Sequence, residues 1–223
     1  MENYPDIEEP KKKGFTIGKL FKGMALAVIV LIYGILIVRC SMYRDDQVVS
    51  EILVNDTTRK TYHSDPNAFT VEQYGMQKAW VAVKEGRLVE FNYLYYLKAA
   101  KQLQVSVKFN RDILQDANLP TESLKFYLTD ENGTVYEDYF FKDKRKFDYR
   151  YVRLCFENID LLADNAETDN KTQNETENET EISRKSYTLH FEQPMPDGTY
   201  SDICAYTLYS GSDIAIIIPF SLK

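Results

Sequence analysis

Histidine and glycine are scarce in these 223 residues: there are two of the first and nine of the second. His63 and His190 stand far apart in the chain. There is no Gly-x-Ser-x-Gly elbow, no His-Glu-x-x-His pair and no glycine-rich phosphate loop, so the sequence-level signatures of serine hydrolases, zinc proteases and nucleotide enzymes are missing. Cysteine is also sparse. Cys40, Cys155 and Cys204 are widely separated and no Cys-x-x-Cys occurs, which argues against a zinc or dithiol redox site. Clustered positive charge is lacking too. The net charge is −7, and it divides into +2 over residues 1–40 and −9 over residues 41–223. So acidic a second part is a poor fit to nucleic acid, whose phosphates need gathered cations. No residue set calls for a cofactor or a metal.

What the chain does have is one long apolar run. Gly23 to Val38 reads GMALAVIVLIYGILIV without a charge. With Leu20 and Phe21 added and Lys22 snorkelling, about 19 residues can span the hydrocarbon core. Lys11, Lys12, Lys13, Lys19 and Lys22 precede the run, so the positive-inside rule places the N-terminus in the cytoplasm. The run ends Ile37-Val38-Arg39-Cys40-Ser41, which offers no small-residue cleavage site, and Arg39 stands where a lipoprotein cysteine needs a small neighbour. The expected layout is a cytoplasmic tail over 1–19, a transmembrane helix over 20–39 and a juxtamembrane stalk over 40–66. An outer β domain is expected over 67–223, in a single-pass protein of the cell membrane. Within the stalk, Val48, Val49, Ile52 and Leu53 recur at helical spacing and suggest a short helix.

Aromatic residues are plentiful, at 13%, and suit sheet surfaces. Leu103, Val105, Val107 and Phe109 alternate with Gln104, Ser106 and Lys108, which predicts one buried and one wet face. Val152, Leu154 and Phe156 repeat the pattern, as do Tyr187, Leu189 and Phe191. Asp130-Glu131-Asn132-Gly133 sits between Phe126–Leu128 and Val135-Tyr136, and Asn-Gly is a strong hairpin signal. Further runs at 79–83, 88–96, 203–209 and 214–218 bring the total to eight or nine strands. The predicted fold is an antiparallel β-sandwich. The polar run DNAETDNKTQNETENETE within 163–185 has no apolar anchor and reads as a disordered insertion.

Three features invite a functional reading. Residues 139–153 (YFFKDKRKFDYRYVR) concentrate aromatics and cations. Lys142, Lys144, Arg145, Lys146 and Arg150 could meet a polyanion or a partner protein, or could merely line a solvated hairpin loop. Cys155 and Cys204 fall in strand-like segments and could be disulfide-bonded or two buried thiols. Asn-x-Ser/Thr sequons occur at Asn55, Asn132, Asn170, Asn174 and Asn178.

Asp197-Gly198-Thr199-Tyr200 resembles the corner that opens the penultimate strand of immunoglobulin-like sandwiches, where a tyrosine bonds back to the backbone. The resemblance makes Tyr200 that tyrosine. Asp202 stands where antibody-type domains place a cysteine, and Cys204 follows two residues later. A Lys-rich tail, one helix and an outer sandwich together resemble small Gram-positive single-pass membrane proteins, in which Tyr96–Asn110 matches the first core strand. The resemblance implies a tethered immunoglobulin-like domain and no particular activity. The function expected is binding or assembly at the membrane without catalysis, the partner being the bilayer itself and another membrane or cell-surface protein. The alternatives are a membrane-anchored hydrolase or transferase using carboxylates, and a structural subunit of a membrane complex.

Overall fold

A computed structural model describes residues 17–74, 79–84, 86–161, 185–208 and 215–222. All but Lys185 of the insertion predicted over 163–185, with its three sequons, and nearly all of the tail lie outside the described residues. The chain divides into two units, Met1–Arg44 and Asp45–Lys223.

The first unit is the helix α1, Ile17–Tyr43. Its stretch Phe21–Ser41 is apolar on every side and long enough to cross a membrane, since 21 residues at about 1.5 Å each reach roughly 30 Å.

The second unit is mainly β, with every strand pair antiparallel. Its strands are β1 (Val71–Tyr74), β2 (Ala79–Lys84), β3 (Arg87–Leu97), β4 (Gln102–Asn110), β5 (Lys125–Asp130), β6 (Val135–Tyr136), β7 (Tyr139–Lys146), β8 (Tyr149–Phe156), β9 (Tyr187–Pro194), β10 (Tyr200–Thr207) and β11 (Ala215–Ile218). Seven strands form one sheet in the order β11-β1-β3-β4-β8-β7, with β2 also paired to β3. Four form the other, in the order β10-β9-β5-β6. The chain leaves the large sheet after β4 and β8 and returns at β7 and β11.

The core lies between the sheets. Leu103, Val105, Val107 and Phe109 of β4 and Val152, Leu154 and Phe156 of β8 meet Phe126, Leu128, Leu189 and Phe191 of the small sheet. Phe126 stacks on Phe191 at 4.7 Å. Period-two alternation therefore identifies the inner face correctly. The hairpin at Asp130–Gly133 also forms as predicted: Gly133 adopts φ +79°, and Asp130 Oδ1 accepts from the amides of Asn132 and Thr134.

Four expectations are corrected. Tyr96–Asn110 is not one strand. A short 3-10 turn at Lys98–Ala100 breaks it, and Lys101 takes a left-handed φ of +50° to reverse the chain. The cation-rich 139–153 segment is not a loop but the β7–β8 hairpin itself. The outer face of the large sheet, expected to be wet, is buried across β4 and β8. What covers it is the segment expected to be a stalk. Residues 45–64 belong to the domain, as a one-turn helix α2 (Gln47–Ser50), an extended stretch, and a helix α3 (Asp56–Ser64). Val48, Val49 and Leu53 are buried by this contact, which is why they are apolar.

Candidate functional site

The strap formed by residues 45–58 makes the densest set of polar contacts outside the regular ladders. It runs along β4 from the row of Lys108 to the row of Gln102. At its start Lys108 Nζ donates to Asp45 Oδ1 at 2.8 Å and lies 3.4 Å from Glu90 Oε2. Asp46 caps α2 by accepting from the Val48 amide and pairs with Lys144 at 3.0 Å. Glu51 pairs with Lys142 at 2.6 Å.

Arg153 lies beneath the strap, fully buried. Its Nη1 donates to Tyr93 O at 2.5 Å and to Val49 O at 3.4 Å, and the guanidinium sits 4.4 Å from the centre of the Tyr95 ring. Its Nε and Nη2 have no hydrogen-bond partner among the described residues. Burial pushes its pKa down to about 10, which still leaves it a cation at neutral pH. Tyr93 is held at φ +49°, where β3 carries a bulge between Asn92 and Tyr95, and that bulge turns the Tyr93 carbonyl toward Arg153.

Further along, Gln104 Nε2 donates to Leu53 O and Gln104 Oε1 accepts from Leu53 N, both at 2.8 Å. The buried Thr58 donates to Gln102 Oε1 at 2.8 Å. Gln102 Nε2 donates to Asn55 Oδ1 and to Glu157 Oε1, and Asn55 Nδ2 donates to the same Glu157 oxygen at 2.6 Å. Asn55 also caps α3. The sequon at Asn55 is thus a cap and a network member, with both side-chain atoms in use.

Burial works against charge on Lys108 and Asp46, yet their partners prevail. Lys108 has its pKa raised by Asp45 and Glu90, and Asp46 has its pKa lowered by Lys144 and the Val48 amide.

The five cations singled out by sequence do not make one patch. Lys142 and Lys144 hold strap carboxylates. Arg150 points to the other side of the sheet, buried, donating to Leu119 O at 2.6 Å over the Phe109 ring. Arg145 and Lys146 end β7 at the turn into β8. Alternation along β7 and β8 separates them, as it must for residues at odd and even positions.

Cys155 and Cys204 are free and buried. Leu154 and Phe156 face the core, so Cys155 between them faces the strap side, whereas Cys204 lies in the core. No bond between them fits that arrangement. Burial raises both thiols, Cys204 to about 12. Tyr200 opens β10 with its side chain 50% exposed, and its hydroxyl has no hydrogen-bond partner among the described residues. A backbone-bonded core tyrosine does occur, at Tyr187, whose hydroxyl donates to Asp160 O at 2.8 Å. His190 stacks on Tyr127 and bonds Thr129, away from the core.

An open hollow of about 460 Å³ is lined by Val135, Tyr136, Glu137, Asp138, Glu157 and Asn158. Two of its carboxylates are engaged: Glu137 pairs with Lys125 at 2.9 Å, and Glu157 accepts from Asn55 and Gln102. Among the described residues, no group of three or more His, Cys, Asp or Glu could hold a metal ion.

Sequence reasoning missed the strap. Its one signal was the quartet Val48, Val49, Ile52 and Leu53, apolar in a segment otherwise polar. The chain matches no family model, no curated protein and no solved structure.

Proposed function

We propose that the chain is a membrane-anchored, extracytoplasmic binding or assembly module without catalysis, its domain an immunoglobulin-like sandwich. The observation that carries this reading is the rim of the large sheet. The edge strand β11 exposes Ile216 and Ile217, at 60% and 68%. Its inner side pairs with β1, and its outer side has no strand neighbour among the described residues. An apolar edge is a template for a further strand, and soluble proteins usually protect such edges with charge or proline. The partner class is another membrane or cell-surface protein. α1 supplies the anchor, and the lysines before it supply the orientation. Two antiparallel sheets over one core, exchanged by crossovers, support the immunoglobulin-like assignment. The engagement of Glu137 and Glu157 in structural pairs weighs against the carboxylate-enzyme alternative.

The test is affinity capture of the full chain from detergent-solubilised membranes. A reproducible partner is expected, and its loss in Ile217→Lys, with the domain still folded, would assign it to the edge. A chain that emerges alone and monodisperse in repeated captures would overturn the assembly reading.

A further inference from the structure

Trp80, Glu90, Lys108, Tyr151 and Lys144 are aligned in one row across β2, β3, β4, β8 and β7. Asp45 and Asp46 are paired to that row through Lys108 and Lys144. The strap then runs away from it, toward Gln104 and Gln102. The row therefore marks the end of the sheet at which the chain enters the domain, and the peptide between Arg44 and Asp45 joins that end to α1.

The same end holds two exposed aromatics. Trp80, the sole tryptophan, is 54% exposed on the outer face of β2, beside the part-exposed Leu88 of β3. Phe147 is 51% exposed in the β7–β8 turn, at φ +54°. Glycine or asparagine would occupy that left-handed position at less cost, so a bulky apolar residue there is unexplained by folding. Arg145 and Lys146 precede it, and Asp148, paired with Arg111 at 3.8 Å, follows it. At about 4.8 Å per strand, Trp80 lies roughly 10 Å to one side of Lys108 within the row; Phe147 lies roughly 7 Å to the other side and, three residues past Lys144, roughly 10 Å beyond the row at the hairpin tip.

We infer that this end of the domain docks onto the headgroup layer of the phospholipid bilayer, with Trp80 and Phe147 as interfacial anchors and the exposed Arg145 toward lipid phosphates. Tryptophan is favoured at headgroup depth because its ring is apolar and its N–H polar. Tethering makes weak anchors sufficient, since the bilayer surface is held beside them at high effective concentration. The inference rests on α1 being a membrane anchor, one part of the function proposed above, and is independent of any protein partner.

Trp80 is its own probe. The full chain would be reconstituted in phosphatidylcholine vesicles with or without bromine on the acyl chains, floated on a density gradient, and excited selectively at tryptophan. Emission should fall by about half or more in brominated vesicles, as for an indole at the interface. The double variant Trp80→Phe with Phe147→Trp moves the probe to the other corner and should be quenched likewise. A chain that floats, with emission indifferent to bromine at both positions, would overturn this inference alone. A chain that fails to float would overturn the anchor, and this inference with it.

Discussion

Gln104 presents Leu53 with one donor and one acceptor, each at 2.8 Å, which is what the peptide group of a neighbouring strand would present. Its side chain extends the sheet outward and lets a strap with few ladder partners of its own bury backbone. Gln104→Ala would leave the Leu53 amide and carbonyl unpaired in a buried place, at an expected cost of about 1–3 kcal/mol by chemical denaturation. Arg153 is a harder case, because it is a buried cation that no carboxylate among the described residues pairs with. Arg153→Ala should cost about 2–4 kcal/mol, through the Tyr93 carbonyl it strands and the volume it empties. Arg153→Met should cost less, since it keeps volume and removes a desolvated charge. The thiols give a third expectation. Because Cys155 and Cys204 are unbonded and raised by burial, reductant should leave the thermal midpoint unchanged, and neither should react with a thiol reagent at neutral pH until the domain unfolds.

At the scale of elements, the strap is a latch with charge at one end and amides at the other. The charged end has a defined pH window. Asp46 has a lowered pKa in the folded state, so its contribution is present above the ordinary aspartate value and is lost as pH falls through the folded one. Lys108 has a raised pKa, so its contribution is complete below the ordinary lysine value and is lost only as pH climbs through the higher folded one. Hydrogen exchange at the Val48 and Val49 amides should therefore be slow across the neutral range and accelerate below about pH 4. The Leu53 amide, held by neutral Gln104, should respond less. Uniform acceleration along the whole strap would show that the two ends are not separable. This element also marks where sequence reading stops short. Alternation in β4 correctly assigned Val105 and Val107 inward, because that depends only on the pleat. It also assigned Gln104, Ser106 and Lys108 to water, because polar side chains usually mean solvent. Ser106 donates to Asn92 O of neighbouring β3, but the strap partners of Gln104 and Lys108, Leu53 and Asp45, lie 51 and 63 residues upstream, and nothing local to β4 signals them. Likewise the lysines of β7 read as a patch for an outside anion, when two of them face strap carboxylates some ninety residues away in sequence.

For the whole molecule, the consequence is where the domain starts. A boundary near residue 67, as composition suggests, would cut the strap away and leave Arg153, Gln102 and Gln104 facing water or one another with most of their side-chain bonds missing, Gln104 losing both. It would also remove Tyr62 and Ile52 from the second apolar cluster, where Tyr62 meets Phe69 at 5.5 Å and Phe220 at 5.7 Å. A chain beginning at Asp45 should be soluble, monomeric apart from any edge pairing through β11, and cooperative in denaturant. A chain beginning at Asn67 should aggregate or unfold without a sharp transition, because the large sheet then exposes an apolar and partly charged face evolved for cover. Adding residues 45–66 back as a separate peptide should restore cooperativity if the strap is a docked element. Equal stability of the two chains would show that the strap is a passenger, and that α1 is followed by a free stalk after all.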